Sequence, residues 1–176
     1  IDIVVQMDRI DGYDTRFGDW EIAHRFHVAK GMTPAGSSAV ANWGDGQGGR
    51  EVNMGDGKTL TDFINWASAN YPAENRALIL WNHGGGWRTL YFKLMADLQS
   101  ALKSKDSAKA AEISAELARK FDRPYKAICW DDTDGGDCLY VKEMGLAIDA
   151  ATQDMTLIGM DACLMAMVEV AYELKD

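Results

Sequence analysis

Cysteine is scarce in this chain: there are three, Cys129, Cys138 and Cys163, in 176 residues, and no two form a C-x-x-C pair. The odd count leaves at least one thiol unpaired and does not fix the redox compartment. Long apolar runs are missing too. No stretch reaches the roughly 18 apolar residues that a membrane-spanning helix needs, so no bilayer-spanning helix is expected. Positive charge is in deficit, with 18 Lys or Arg against 27 Asp or Glu and a net charge of -9. Nucleic acid and anionic membrane surfaces would repel such a chain at long range, whereas an acidic cleft would favour basic ligands. There is no G-x-S-x-G or G-x-C-x-G turn, so the nucleophile elbow of the α/β-hydrolases is lacking. Targeting information is expected to be missing rather than absent. The chain opens at Ile1 inside a strand-like run and stops at Asp176 directly after a helical pattern, so we expect a fragment cut at both ends.

What is present suits one domain with a sizeable core, given 47% apolar and 26% charged residues. Ile1 to Met7, with Ile3, Val4 and Val5 in a row, reads as an interior strand of a parallel sheet. Glycine-rich turns and short ribbon pieces, Arg25 to Ala29 and Ala39 to Trp43, are expected next. Thr59-x-x-Asp62 has the form of a capping box, and Leu60, Phe63, Ile64, Ala67 and Tyr71 follow helical spacing up to Pro72. Further on, Lys126 to Trp130 and Met155 to Met160 read as strands, Tyr140 to Ala151 and Ala162 to Leu174 as helices. Strands alternating with helices give an α/β fold with a mainly parallel sheet. Residues 91–123 differ in texture and predict an inserted helical hairpin within a single domain spanning 1–176. From 91 to 126 there are eight Lys or Arg against five Asp or Glu, a basic segment on an acidic body.

Two strand ends carry the chemistry. Ala77 to Leu80 leads into Trp81-Asn82-His83-Gly84-Gly85-Gly86-Trp87, and Met155 to Met160 leads into Asp161-Ala162-Cys163-Leu164. Parallel neighbouring strands would bring the imidazole and the thiol together at the carboxyl edge of the sheet, the minimum equipment for covalent acyl transfer. A cysteine in the first turn of the helix beginning at Ala162 would sit where the helix dipole favours the thiolate. Adjacent glycines are costly to order, and that cost is understandable if the Gly84 N–H must face an oxyanion.

Other motifs weigh less. The HGGGW string also occurs as an oxyanion loop in esterases, but without the elbow an esterase lacks its nucleophile. Gly44-x-Gly46-x-x-Gly49 matches the dinucleotide fingerprint but runs into Arg50-Glu51-Val52, not a helix. His24 and His27 could share one face of a helix as metal ligands, yet no third ligand stands nearby. The turn from Asp131 to Asp137 is dense in hard oxygen ligands, and Asp132, Asp134 and Asp137 are weak calcium candidates; the pattern breaks that of an EF-hand.

The constellation resembles the clostripain family of cysteine peptidases, of the caspase-like superfamily. The resemblance runs through IDIVVQMDR, EVNMGDGKTLTDFINWA, NYPAENRALILWNHGGGW, DDTDGGDCL and LIGMDACLMAMVEVAYEL, with His83-Gly84 and Ala162-Cys163 as its coupled halves. It implies a caspase-like three-layer α/β/α sandwich, here lacking its first strand and its later pocket walls. It implies an endopeptidase cutting peptides and proteins after Arg or Lys through a Cys163–His83 dyad. Gly84 and Cys163 would supply the oxyanion hole, and Asp161 would recognise the basic side chain, a role that a carboxylate buried beside the nucleophile would suit. No cofactor is required, with calcium reported for some relatives. The resemblance also implies a secreted or periplasmic bacterial protein, activated by internal cleavage after one of Arg88, Lys93, Lys103, Lys105, Lys109, Arg119, Lys120, Arg123 or Lys126. A catalytically silent caspase-like module that holds basic peptides is the alternative.

Overall fold

The computed structural model describes residues 1–10, 12, 14–44, 48–84, 89–121, 127–131 and 133–175. The chain runs β1 (Val4–Met7), β2 (Ala23–His27), β3 (Gly49–Arg50), α1 (Gly57–Asn70), β4 (Ala77–Trp81), α2 (Thr89–Lys103), α3 (Ser107–Phe121), β5 (Ala127–Asp131), β6 (Asp137–Tyr140), α4 (Val141–Asp149), β7 (Leu157–Asp161) and α5 (Val168–Glu173). The fold is α/β and caspase-like, and its parallel pairing lies between β4 and β7.

β1 departs from expectation. It pairs antiparallel with β2, Val4 opposite His27 and Met7 opposite His24, and β2 pairs antiparallel with β3. The sheet order β1-β2-β3 puts β1 at an edge, its four residues half-buried and Ile3 exposed, so the row of branched residues marks a strand but neither an interior place nor the direction of its partner. Here β2 lies antiparallel beside β1, and the Val28 N–H donates to the Ile3 carbonyl at 2.8 Å. The second ribbon piece expected, Ala39 to Trp43, forms turns, although the Val40 N–H still donates to the Arg25 carbonyl at 2.8 Å.

α1 starts earlier than the capping-box reading has it. Asp56 is the N-cap and accepts the Lys58 N–H at 2.8 Å, so Thr59 already lies in the first turn. Leu60 and Ile64, one turn apart, face the core. β5 and β6 form an antiparallel hairpin whose loop is the aspartate turn, with Asp131 opposite Asp137. The sequence signalled β5 but not β6, since four residues running directly into α4 leave no turn to mark them.

One core joins Leu60 and Ile64 of α1, Leu78 and Leu80 of β4, Ile128 of β5, Leu139 of β6, Met144 of α4, Met165 and Val170. A second, smaller cluster of Leu94, Ala101, Ala110 and Ile113 holds α2 against α3. Burying a large aliphatic side chain contributes about 1.5–3 kcal/mol, so the first cluster dominates stability. β4 packs on one face only: Leu78 and Leu80 are buried, while Ile79 and Trp81 are 58% and 71% exposed. Gly159 lies opposite Ile79, whose side chain occupies the space that a Cβ there would need.

Candidate active site

The parallel ladder aligns Ala77 with Leu157, Leu78 with Ile158, Ile79 with Gly159, Leu80 with Met160 and Trp81 with Asp161. Two residues beyond the last matched pair stand His83 on one strand and Cys163 on the other. Register thus carries both to the same carboxyl edge. The approach is close there: a Cβ on Gly84 would collide with the Cys163 carbonyl oxygen and lie 2.9 Å from Met165 Cγ and 3.1 Å from Ala162 Cβ. Only glycine fits, because its neighbour is backbone that cannot swing aside.

His83 is exposed and its N–H donates to the Asn82 side-chain oxygen. All three thiols are free, and they differ in access. Cys129 and Cys138 are buried and Cys163 is exposed. Burial pushes the Cys129 thiol up to about 11, so that sulfur stays protonated at neutral pH. Of the three, Cys163 is therefore the one a peptide could reach.

Three expectations are corrected here. The helix after the cysteine begins at Val168, not at Ala162, so Cys163 lies in a turn before it. Leu164 takes φ +59, a left-handed conformation that a right-handed helix cannot contain, and Met165 then drops into the core at 4% exposure. The effect of a helix end falls off within a turn, so the predicted dipole contribution to the thiolate is not available from α5. Asp161 is exposed, not buried beside the nucleophile, because it shares the open face of the strand pair with Trp81. His24 and His27 lie on β2, not on a helix. His24 is buried with Nδ1 2.7 Å from the Gly48 carbonyl, and His27 is exposed with Nε2 3.0 Å from Asp2. Alternation along a strand sends positions three apart to opposite faces, so they make no common metal site.

The calcium candidates are divided. Asp132 lies outside the described residues. Asp137 accepts Asn53 Nδ2 at 2.8 Å, and Asp134 is exposed with its N–H donating to Asp131 at 3.2 Å. Among the described residues no group of three or more His, Cys, Asp or Glu side chains is arranged to hold a metal ion. Also outside them are Gly46, Gly85 to Arg88, Arg123 and Lys126, so the remaining glycines of the histidine loop and three of the basic cleavage candidates fall there.

Asp131 organises the turn in a way that a run of aspartates does not disclose. Only 4% exposed, it accepts the Thr133 hydroxyl at 2.6 Å and the N–H groups of Met54 at 2.8 Å and Thr133 at 3.0 Å. Burial works against its charge, but these bonds outweigh it and lower its pKa. Asp8, near by, is raised to about 7 by burial and by the carboxylates of Glu51, Asp131 and Asp134. Asp8 lies in the first of the family-like stretches and Asp131 opens the aspartate turn, but neither belongs to the His83 or the Cys163 motif.

A family model described as the clostripain family matches residues 2–107 and 114–176, nearly the whole chain. The chain belongs to the clostripain family. Clostripain of Hathewaya histolytica is 32% identical to it over 130 residues, which make up 71% of this chain and 19% of that protein. The chain thus spans about a fifth of the length of the curated relative it matches. The match to the clostripain family supports a cysteine peptidase, and it extends through most of the helical hairpin, where the sequence texture suggested an insert unlike a shared core. Among the described residues no helix is long and apolar enough to cross a membrane.

Proposed function

We propose that this chain carries the catalytic centre of a thiol endopeptidase that cuts after Arg or Lys. The observation that supports it most is the parallel β4–β7 register, which brings the ends of the His83 and Cys163 strands side by side with Gly84 against the Cys163 carbonyl. Cys163 Sγ, as thiolate, attacks the scissile carbonyl carbon. The developing oxyanion takes hydrogen bonds from the N–H groups of Gly84 and Cys163. The C–N bond breaks as protonated His83 gives its proton to the departing amine, leaving a thioester. His83 then takes a proton from water, whose oxygen attacks the thioester carbonyl. The acid leaves and the thiolate is restored.

Asp161 supplies a carboxylate for the guanidinium or ammonium before the cut bond, and its exposure leaves it open to such a partner. The dyad needs no cofactor. In this reading the protein acts outside the cytoplasm on peptides and proteins, after cleavage in the basic segment that follows His83.

The test is hydrolysis of a fluorogenic peptide with Arg or Lys before the reporter, assayed with reductant. Iodoacetamide, or Cys163→Ala, is expected to lower turnover by at least about 10³-fold. Turnover that survives either treatment overturns the proposal. A full-length protein that binds Arg/Lys peptides but cleaves none would instead be the silent binding module.

A further inference from the structure

We propose that Asn82 is a positioning residue for His83, tying it through one side-chain amide to the neighbouring strand; the inference rests on the dyad reading above. Asn82 is half-buried one step past β4. Its Nδ2 donates to the Trp130 carbonyl on β5 at 3.3 Å, and its Oδ1 accepts the N–H of His83. The backbone ladder of β4 is with β7 and that of β5 is with β6. The amide therefore reaches from the histidine strand to a strand with which β4 shares no ladder.

His83 is exposed, so packing does little to fix its ring, and the direction of its backbone decides where the imidazole points. A general acid must lie within hydrogen-bond reach of the departing nitrogen, and a displacement of about 1 Å can cost about 10²-fold in rate. Asparagine suits both tasks because it carries an acceptor and a donor on one short, planar group. Aspartate keeps the acceptor for His83 but turns a second oxygen against the Trp130 carbonyl. Leucine keeps the shape and loses both bonds.

In the full chain, Asn82→Leu, Asn82→Asp and His83→Ala are compared with the native protein on the fluorogenic Arg/Lys peptide, with kcat and KM separated and thermal unfolding recorded. Asn82→Leu is expected to lose about 10- to 100-fold in kcat with KM within about twofold. Asn82→Asp is expected to recover part of that loss, about 10-fold below the native protein, which carries the test if the leucine variant does not fold. Native kcat in either Asn82 variant, with His83→Ala inactive, overturns the positioning role and leaves the dyad standing. A fall in kcat no larger than the fraction unfolded at the assay temperature also overturns it. Native turnover in His83→Ala removes the dyad reading and this inference with it.

Discussion

The two strand tips that meet at the candidate site are held in place by different physics. The histidine tip is tied by polar bonds: the Asn82 amide reaches to Trp130 on β5, and β5 itself ends in Asp131, which gathers the Met54 and Thr133 donors. The cysteine tip is held by shape. Leu164 adopts a left-handed backbone, and directly after it Met165 is buried in the main core. Polar ties fix a direction at modest energy, and where a carboxylate such as Asp131 takes part they depend on its charge, whereas an apolar anchor resists displacement and is indifferent to pH. A dyad needs both members placed, and here each half reaches its position by an independent route.

That comparison can be broken most sharply at Gly84, where the tips touch. Gly84→Ala would force the added methyl against the Cys163 carbonyl, so the expected outcome is peptidase activity lower by about 10²-fold or more, from a shift of about 1 Å between the tips. Native activity in that variant would mean that the tips are free to separate. Met165→Ala tests the anchor alone. Removing this buried side chain should cost about 2–5 kcal/mol in urea unfolding, with no change in the pH dependence of stability. A loss below about 1 kcal/mol would show that the turn holds without its anchor.

The polar side should respond to pH. Asp8, raised to about 7, keeps in the folded protein a proton that the unfolded chain has released above about 4. Stability from this group is therefore greatest at low pH, falls as pH rises from about 4 to about 7, and is flat above that. Asp8→Asn removes the effect. The variant is expected to be more stable than the native protein at pH 8, by on the order of 1 kcal/mol, and to lose that advantage towards pH 4 in thermal melts. An advantage that grows on acidification would reverse the sign and refute the burial argument. The smallest effect is expected at Leu164→Gly. Relief of the left-handed strain and the greater freedom of glycine when unfolded nearly cancel, so stability should change by less than about 1 kcal/mol. A loss above about 2 kcal/mol would mean that the leucine side chain does more than occupy the turn.

Much of this was legible in the residues. The apolar runs before His83 and Cys163 marked two strands, and periodicity marked α1, because a face that must be buried writes its period into the chain. What went astray was decided by partners at a distance. The Val168–Glu173 helix looked longer because Ala162 to Leu174 has helical composition, but Leu164 and Met165 answer to the core and not to local propensity. Asp56 capped α1 although Thr59 offered the better-known pattern. Asp8, Asp131 and Asn82 all lie within marked stretches, yet nothing local assigned any of them a role or a partner. Asn82 could have been noticed as the polar residue between strand end and histidine, whereas nothing local marks Asp8 as near Asp131.

By itself, the sequence determined which side chains are available: a histidine followed by glycine, a cysteine after an acidic strand end, two apolar strands to carry them, and an acidic balance that repels nucleic acid. These are properties of covalent order, composition and periodicity, which need no partner to be true. Tertiary structure alone decided that the strands run parallel in a register that brings the two tips level, that only glycine fits between them, and that Asp161 faces outward while Cys129 is sealed in. Each of those depends on which distant segment supplies the other side of a contact, and pairing between residues some eighty positions apart is settled by burial across the whole molecule, beyond the reach of any local window.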